Sequence, residues 1–128
     1  MTDEFQKMME RQETRVQRVL YWSACLCFIS VLPCLLSFAP SLVPKSQPMN
    51  MWFQRSGAVM SIFALLAQSG ASHMQELIRP GTFGETAVLY RKYDGAQRAV
   101  SGASIILAIA GTVIWGYGDL LLPYLSLR

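Results

Sequence analysis

Few side chains in this sequence are equipped for chemistry, and the two most telling are charges at the edges of uncharged runs. Arg55 follows Trp52 by three residues, just before the uncharged run Ser56–Gln75. Asp119 closes the uncharged run Ala99–Gly118, behind Trp115 and Tyr117. A lone Arg or Asp at the centre of a bilayer costs roughly 2.5–3.5 kcal/mol on insertion scales, and less near the interface. An intramembrane ion pair between Arg55 and Asp119 would relieve both penalties and fix one helix against another, as a gate or an assembly contact. The competing reading has Arg55 snorkelling to headgroups while Asp119 sits in water.

The second candidate is a stripe. Gly57, Ser61, Ala64, Gln68 and Ser72 recur at intervals of three and four, the spacing of one helix face. Ala58, Gly70 and Ala71 widen it, while Val59, Ile62, Phe63 and Leu66 stand opposite. Small side chains let helices approach closely, and Gln68 adds a hydrogen-bonding amide deep in hydrocarbon. Two readings stay open: a helix-packing face, or a pore-lining face when several copies assemble, with Ser61, Gln68 and Ser72 hydrating ions. Ser104, Ala108 and Thr112 form a similar, more ordinary stripe in the third run.

Enzymatic readings find no support. His73 is the one histidine, no span holds an acid pair, and there is neither a glycine-rich phosphate loop nor a serine elbow. Cys25, Cys27 and Cys34 lie inside the first apolar run, where they read as small packing residues; an odd count gives little reason to expect a disulfide. No catalytic residue, metal site or cofactor is expected.

The elements that must position these residues follow from three uncharged runs: Val19–Pro44, Ser56–Gln75 and Ala99–Gly118. A helix needs about 20 apolar residues to cross about 30 Å of hydrocarbon, so each run is long enough. The expected fold is an all-α integral membrane protein with spans over about 19–40, 52–74 and 98–120. An N-terminal amphipathic helix over 1–18 should precede the domain at 19–126, lying on the membrane or on partner copies before running into helix one. A loop over 75–97 should hold a short cytoplasmic helix that either stands alone or continues past Asp94 and Gly95 into helix three. Pro33 should kink the first span. Pro40, Pro44 and Pro48 should stiffen the outer connection, Pro80-Gly81 should turn the chain, and Thr82 with Glu85 fits a capping box. Pro123 should break the last helix. Trp22, Trp52, Trp115 and Tyr117 should anchor the span ends at the membrane interfaces.

The charge of +3 in 128 residues matters less than its distribution. Eight basic residues (Lys7, Arg11, Arg15, Arg18, Arg79, Arg91, Lys92, Arg98) flank one side of the spans. Three (Lys45, Arg55, Arg128) flank the other. The excess places the N-terminus and the 73–98 segment in the cytoplasm, and the C-terminus in the periplasm. Arg79, Arg91, Lys92 and Arg98 then form a candidate docking site for a cytoplasmic partner. Basic residues interleaved with acids give no expectation of direct nucleic-acid binding. The eighteen residues before the first run carry four basic and four acidic side chains, which argues for a retained anchor over a cleaved signal.

The segments WFQRSG (Trp52–Gly57) and GTVIWGYGD (Gly111–Asp119) resemble those of small bacterial membrane effectors of anti-phage systems, including the transmembrane effectors paired with retron reverse transcriptases. The resemblance implies a toxin that permeabilises or depolarises the bacterial inner membrane during abortive infection. It also implies a restraining cytoplasmic partner, a reverse transcriptase with its RNA–DNA product, and importance for Arg55 and Asp119. The function expected is therefore a homo-oligomeric membrane effector. The alternative is a non-toxic structural or anchoring subunit of a larger membrane complex, or a holin-like protein.

Overall fold

Three helices make up most of the computed structural model, which describes residues 2–39, 41–42, 44–79 and 86–126. Helix α1 spans Thr2–Leu36, α2 Met49–Ile78 and α3 Thr86–Ser126. α2 runs antiparallel to α3: its Gln54 meets Trp115 at one end and its Ala71 meets Gln97 toward the other. It is also antiparallel to α1, with Phe53 against Phe38 and Gly70 against Ser23. α1 and α3 are consequently parallel, and they touch where Glu13 reaches Lys92.

The helices are longer than the uncharged runs. The amphipathic segment and the first span form one continuous α1, which ends at Leu36 instead of residue 40. Two i→i+3 turns follow, from the amides of Phe38 and Ala39 to the carbonyls of Leu35 and Leu36, a common way of tightening a helix end. Pro33 falls in the last turn of α1, not at mid-span. Its carbonyl accepts both the amide and the hydroxyl of Ser37, at 3.1 and 2.7 Å. The expected short cytoplasmic helix is likewise the first part of α3. Gly95 does not interrupt it, since one internal glycine costs only about 1 kcal/mol. Nor does Pro123 break it: α3 runs three residues past it, to Ser126. The connection expected over 75–97 therefore contracts to the short stretch between Ile78 and Thr86. Pro80-Gly81 and the Thr82–Glu85 box lie outside the described residues, as do Pro40 and Arg128.

Packing follows a seven-residue period. Val16, Ser23, Ser30 and Ser37 are the buried positions of α1 and its continuation, each seven residues from the last. α2 buries Phe53, Gly57, Met60, Ala64, Ala67, Ala71, Met74 and Ile78, alternating steps of four and three, with Ser56 buried beside Gly57. α3 buries Gln97, Ser104, Gly111 and Gly118, again every seventh. This is the period of left-handed helix packing, and small residues at it bring backbones close. Larger side chains take over at the charged end. There Val16, Met74, Ile78, Leu89 and Tyr93 form a cluster flanked by Met9, Val19, Leu20, Leu77 and Tyr90.

The chain is thus an all-helical three-helix bundle, and two of its helices are long and apolar enough to cross a membrane. They are α1 and α3, and only 11% of the qualifying stretch of either is buried within the chain. α2 does not qualify on composition: Ser61, Gln68, Ser69, Ser72 and His73 lower its apolarity. The three spans expected from the sequence reduce on this criterion to two.

Candidate functional site

The seam between α2 and α3 holds most of the residues singled out by type and spacing. At one end the Gln54 side-chain amide donates to the carbonyl of Trp115 at 2.8 Å. Next comes a backbone contact. A Cβ placed on Gly57 would lie 2.6 Å from both the Gly111 oxygen and the Trp115 nitrogen, so only glycine fits there. One turn further, Ser61 Oγ bonds to its own helix at Gly57 (3.1 Å) and across to the Ala108 carbonyl (3.3 Å). It also lies 3.4 Å from Thr112 Oγ1. Ala64 is fully enclosed.

Gln68 is the hub of the middle. Its Oε1 accepts from Ser104 Oγ at 2.6 Å and from Ser101 Oγ at 3.1 Å. Ser104 Oγ also reaches the Ser101 carbonyl within its own helix. Below it, the buried Gln97 donates to the Ala71 carbonyl at 3.3 Å. The stripe Gly57, Ser61, Ala64 and Gln68 is therefore a packing face inside the single chain, closed by α3. Ser72 does not belong to it: the side chain is exposed, and Ala71 takes the seam position. Four steps near one turn drift around the helix, whereas the seam advances by seven.

The expected ion pair does not form. Arg55 and Asp119 do sit at the same level, since Gly118 packs on Gln54. Both side chains are exposed, and Arg55 Nη1 donates instead to Gln47 Oε1 at 2.8 Å. The reason is angular. Gly57 faces α3, and two residues correspond to about 200° of helix rotation, so Arg55 turns away from the seam.

At the opposite end a polar cluster ties α1 to α3. Lys92 Nζ donates to Glu13 Oε1 at 2.6 Å, and the Tyr93 hydroxyl donates to the same oxygen at 3.0 Å. Gln17 Nε2 in turn donates to the Tyr93 hydroxyl at 2.9 Å. The Lys92 hydrogen bond, seconded by Tyr93, holds the Glu13 carboxyl below its ordinary range, and Glu13 raises Lys92 reciprocally. Sequence reasoning missed Glu13, Gln17 and Tyr93. The signal was present in Val16, whose core position puts Glu13 and Gln17 on its flanks.

Of the four basic residues expected to dock a partner, two have partners within the chain. Lys92 is held by Glu13, and Arg98 pairs with Asp94 one turn earlier at 3.1 Å. Arg79 and Arg91 are exposed. Trp22, Trp115 and Tyr117 point outward, at the two ends of the apolar zone; Trp52 is half-buried. His73 lies 4.0 Å from Glu76 on the same helix, and all three cysteines are free. Among the described residues no three His, Cys, Asp or Glu side chains converge as a metal site would require.

No family model matches the chain, and no curated protein or solved structure is significantly similar to it.

Proposed function

We propose that all three helices cross a bacterial inner membrane together and that the protein is an effector, acting on that membrane as an assembly of copies. The observation that carries the membrane reading is the inverted polarity of the bundle. Phe28 of α1, Leu65 of α2 and Ile106 of α3 are 79%, 60% and 67% exposed, while serines, glycines and glutamines are enclosed. In water such an exterior would be a large aggregation-prone patch; in lipid it is the favourable surface. α2 belongs in the membrane on the same ground. Its Val59, Ile62, Leu65 and Leu66 face outward, and Ser61 and Gln68, which lower its hydropathy, face the seam. The excess of Lys and Arg at the start of α1 and α3 favours a cytoplasmic N-terminus and a periplasmic C-terminus.

Permeabilisation is supported by the resemblance of Trp52–Gly57 and Gly111–Asp119 to anti-phage membrane effectors. With the polar stripe of α2 occupied by α3, an aqueous path would form between copies or on opening of the seam, not along the stripe of a closed chain. Restraint by a cytoplasmic partner, of the reverse-transcriptase kind that the resemblance implies, would act at the charged end, where Arg79 and Arg91 remain exposed. A second reading, a non-toxic anchoring subunit, is favoured by the hydrogen bonds that Gln68 and Gln97 make within the chain and by the Glu13–Lys92 contact. Inducing the chain alone in bacteria while following a potential-sensitive dye separates them. Collapse of the membrane potential supports the effector. Normal growth with the full amount of protein resistant to carbonate extraction supports the anchor. Release by carbonate would remove both.

A further inference from the structure

Where α1 ends and α2 begins, the two helices part around a crevice of about 390 Å³. Pro33, Leu36, Leu42, Trp52 and Val59 wall it, and Arg55 stands at its edge. Two buried serines also line it, yet neither offers a free hydroxyl proton. Ser37 Oγ donates to the Pro33 carbonyl at 2.7 Å, and Ser56 Oγ to the Phe53 carbonyl at 2.6 Å. The interior therefore suits an apolar occupant. Its volume lies within the range of small-ligand sites, roughly 300–1,000 Å³.

The edge has the opposite character. The Arg55 guanidinium carries five N–H donors. Gln47 takes one from Nη1, and among the described residues no carboxylate lies within ion-pair distance. A cation that keeps free donors beside an apolar slot, next to an interfacial tryptophan, complements a molecule with an anionic head and a hydrocarbon tail. We infer that the crevice binds one anionic phospholipid of the outer leaflet, an acyl chain lying between α1 and α2 and its phosphate on Arg55. Arginine suits this task because its planar fork matches phosphate oxygens and always carries its charge. The assignment rests on α1 and α2 lying in lipid. It gives Arg55 a task that does not require Asp119.

Native mass spectrometry of the full chain in detergent, titrated with phosphatidylglycerol or phosphatidylcholine, tests it. The wild type should retain one phosphatidylglycerol per chain and bind phosphatidylcholine more weakly. Arg55→Ala should weaken phosphatidylglycerol about tenfold, as expected for losing a hydrogen bond to a charged group. Val59→Trp, which fills the crevice, should abolish retention while circular dichroism stays helical. Arg98→Ala, at the far end, should change nothing. Equal retention by wild type, Arg55→Ala and Val59→Trp would overturn the site, as would equal affinity for the two lipids. Carbonate extraction of the same preparation tells the two failures apart. A chain that stays in the membrane but holds no lipid refutes this site alone, whereas a chain that washes off refutes the membrane reading as well.

Discussion

Replacing Gly57 by alanine probes the α2–α3 seam with one added methyl. The new Cβ would lie 2.6 Å from the Gly111 oxygen and from the Trp115 nitrogen, about 0.8 Å inside the 3.4 Å where ordinary contact begins. Both obstacles are backbone atoms of a helix, so no side chain can swing aside. Either the helices separate locally or the seam shifts, and overpacking of this kind costs about 1–3 kcal/mol. Alanine also improves helix propensity by up to about 1 kcal/mol, which would mask part of the loss. Gly102 supplies the correction, because a Cβ there meets nothing within 4 Å. The propensity gain is common to both substitutions, so the difference between Gly57→Ala and Gly102→Ala isolates the steric term. Unfolding in mixed micelles, followed by circular dichroism, should place Gly57→Ala about 1–3 kcal/mol below Gly102→Ala. Gly111→Ala should fall with Gly57→Ala, since its Cβ would lie 2.7 Å from the Gly57 oxygen. Equal stability for all three variants would refute the close backbone approach, and with it the whole register of α2 on α3.

Gln68→Leu removes the acceptor shared by Ser101 and Ser104. Intramembrane hydrogen bonds average about 0.6 kcal/mol and Ser104 keeps its bond to the Ser101 carbonyl, so the loss should be about 1 kcal/mol in the same unfolding assay. Ser23 Oγ is buried against Gly70 with no hydrogen-bond partner, so Ser23→Ala should be neutral or stabilising by about 1 kcal/mol. The Glu13 contact should weaken in acid. Its folded pKa is lowered, so its contribution is complete above the unfolded carboxylate value of about 4.3 and disappears as pH falls through the lower folded value. Hydrogen exchange over residues 2–18 should therefore quicken in strong acid, relative to the intrinsic rate, in the wild type. Glu13→Gln should show the faster exchange already at neutral pH and lose the pH dependence.

The helical class was legible because a run of about twenty uncharged residues has few other ways to fold. Element ends were less so, since the charged stretches before α1's and α3's apolar parts are themselves good helix formers. Nothing between Arg18 and Val19, or at Gly95, is strong enough to stop a helix already propagating. The seam was read in the right place with the wrong period. Steps of four, three and four led from Gly57 to Gln68, and a further four led off the face at Ser72, whereas steps of seven reach Ala64 and Ala71. The same period marks Ser23, Ser30 and Ser37 in the first run and Gln97, Ser104, Gly111 and Gly118 in the last. Arg55 and Asp119 illustrate a conflict already present in the sequence. A helix face that gives Gly57 to α3 cannot also give Arg55 to it, two residues and about 200° away.

That angular argument bears on how hydropathy is read for α2. A mean over a helix ignores direction, and it scores the Gln68 amide equally whether it faces lipid or a serine pair. Once the Gln68 side-chain carbonyl accepts from Ser101 and Ser104, and Ser61 donates to the Ala108 carbonyl, those polar groups oppose insertion of the finished bundle less. They do oppose insertion of α2 alone, so α2 depends on α3 in a way that α1 does not. The small residues that permit tight membrane packing are also used within the chain, which leaves its outer surface to larger side chains such as Phe28, Leu65 and Ile106. Contacts between copies would then be broad and apolar unless the seam opens and exposes Gly57, Ser61 and Gln68 to a neighbour. An effector built this way would be quiet while α2 and α3 stay zipped, and the energy of that seam would set how readily it acts.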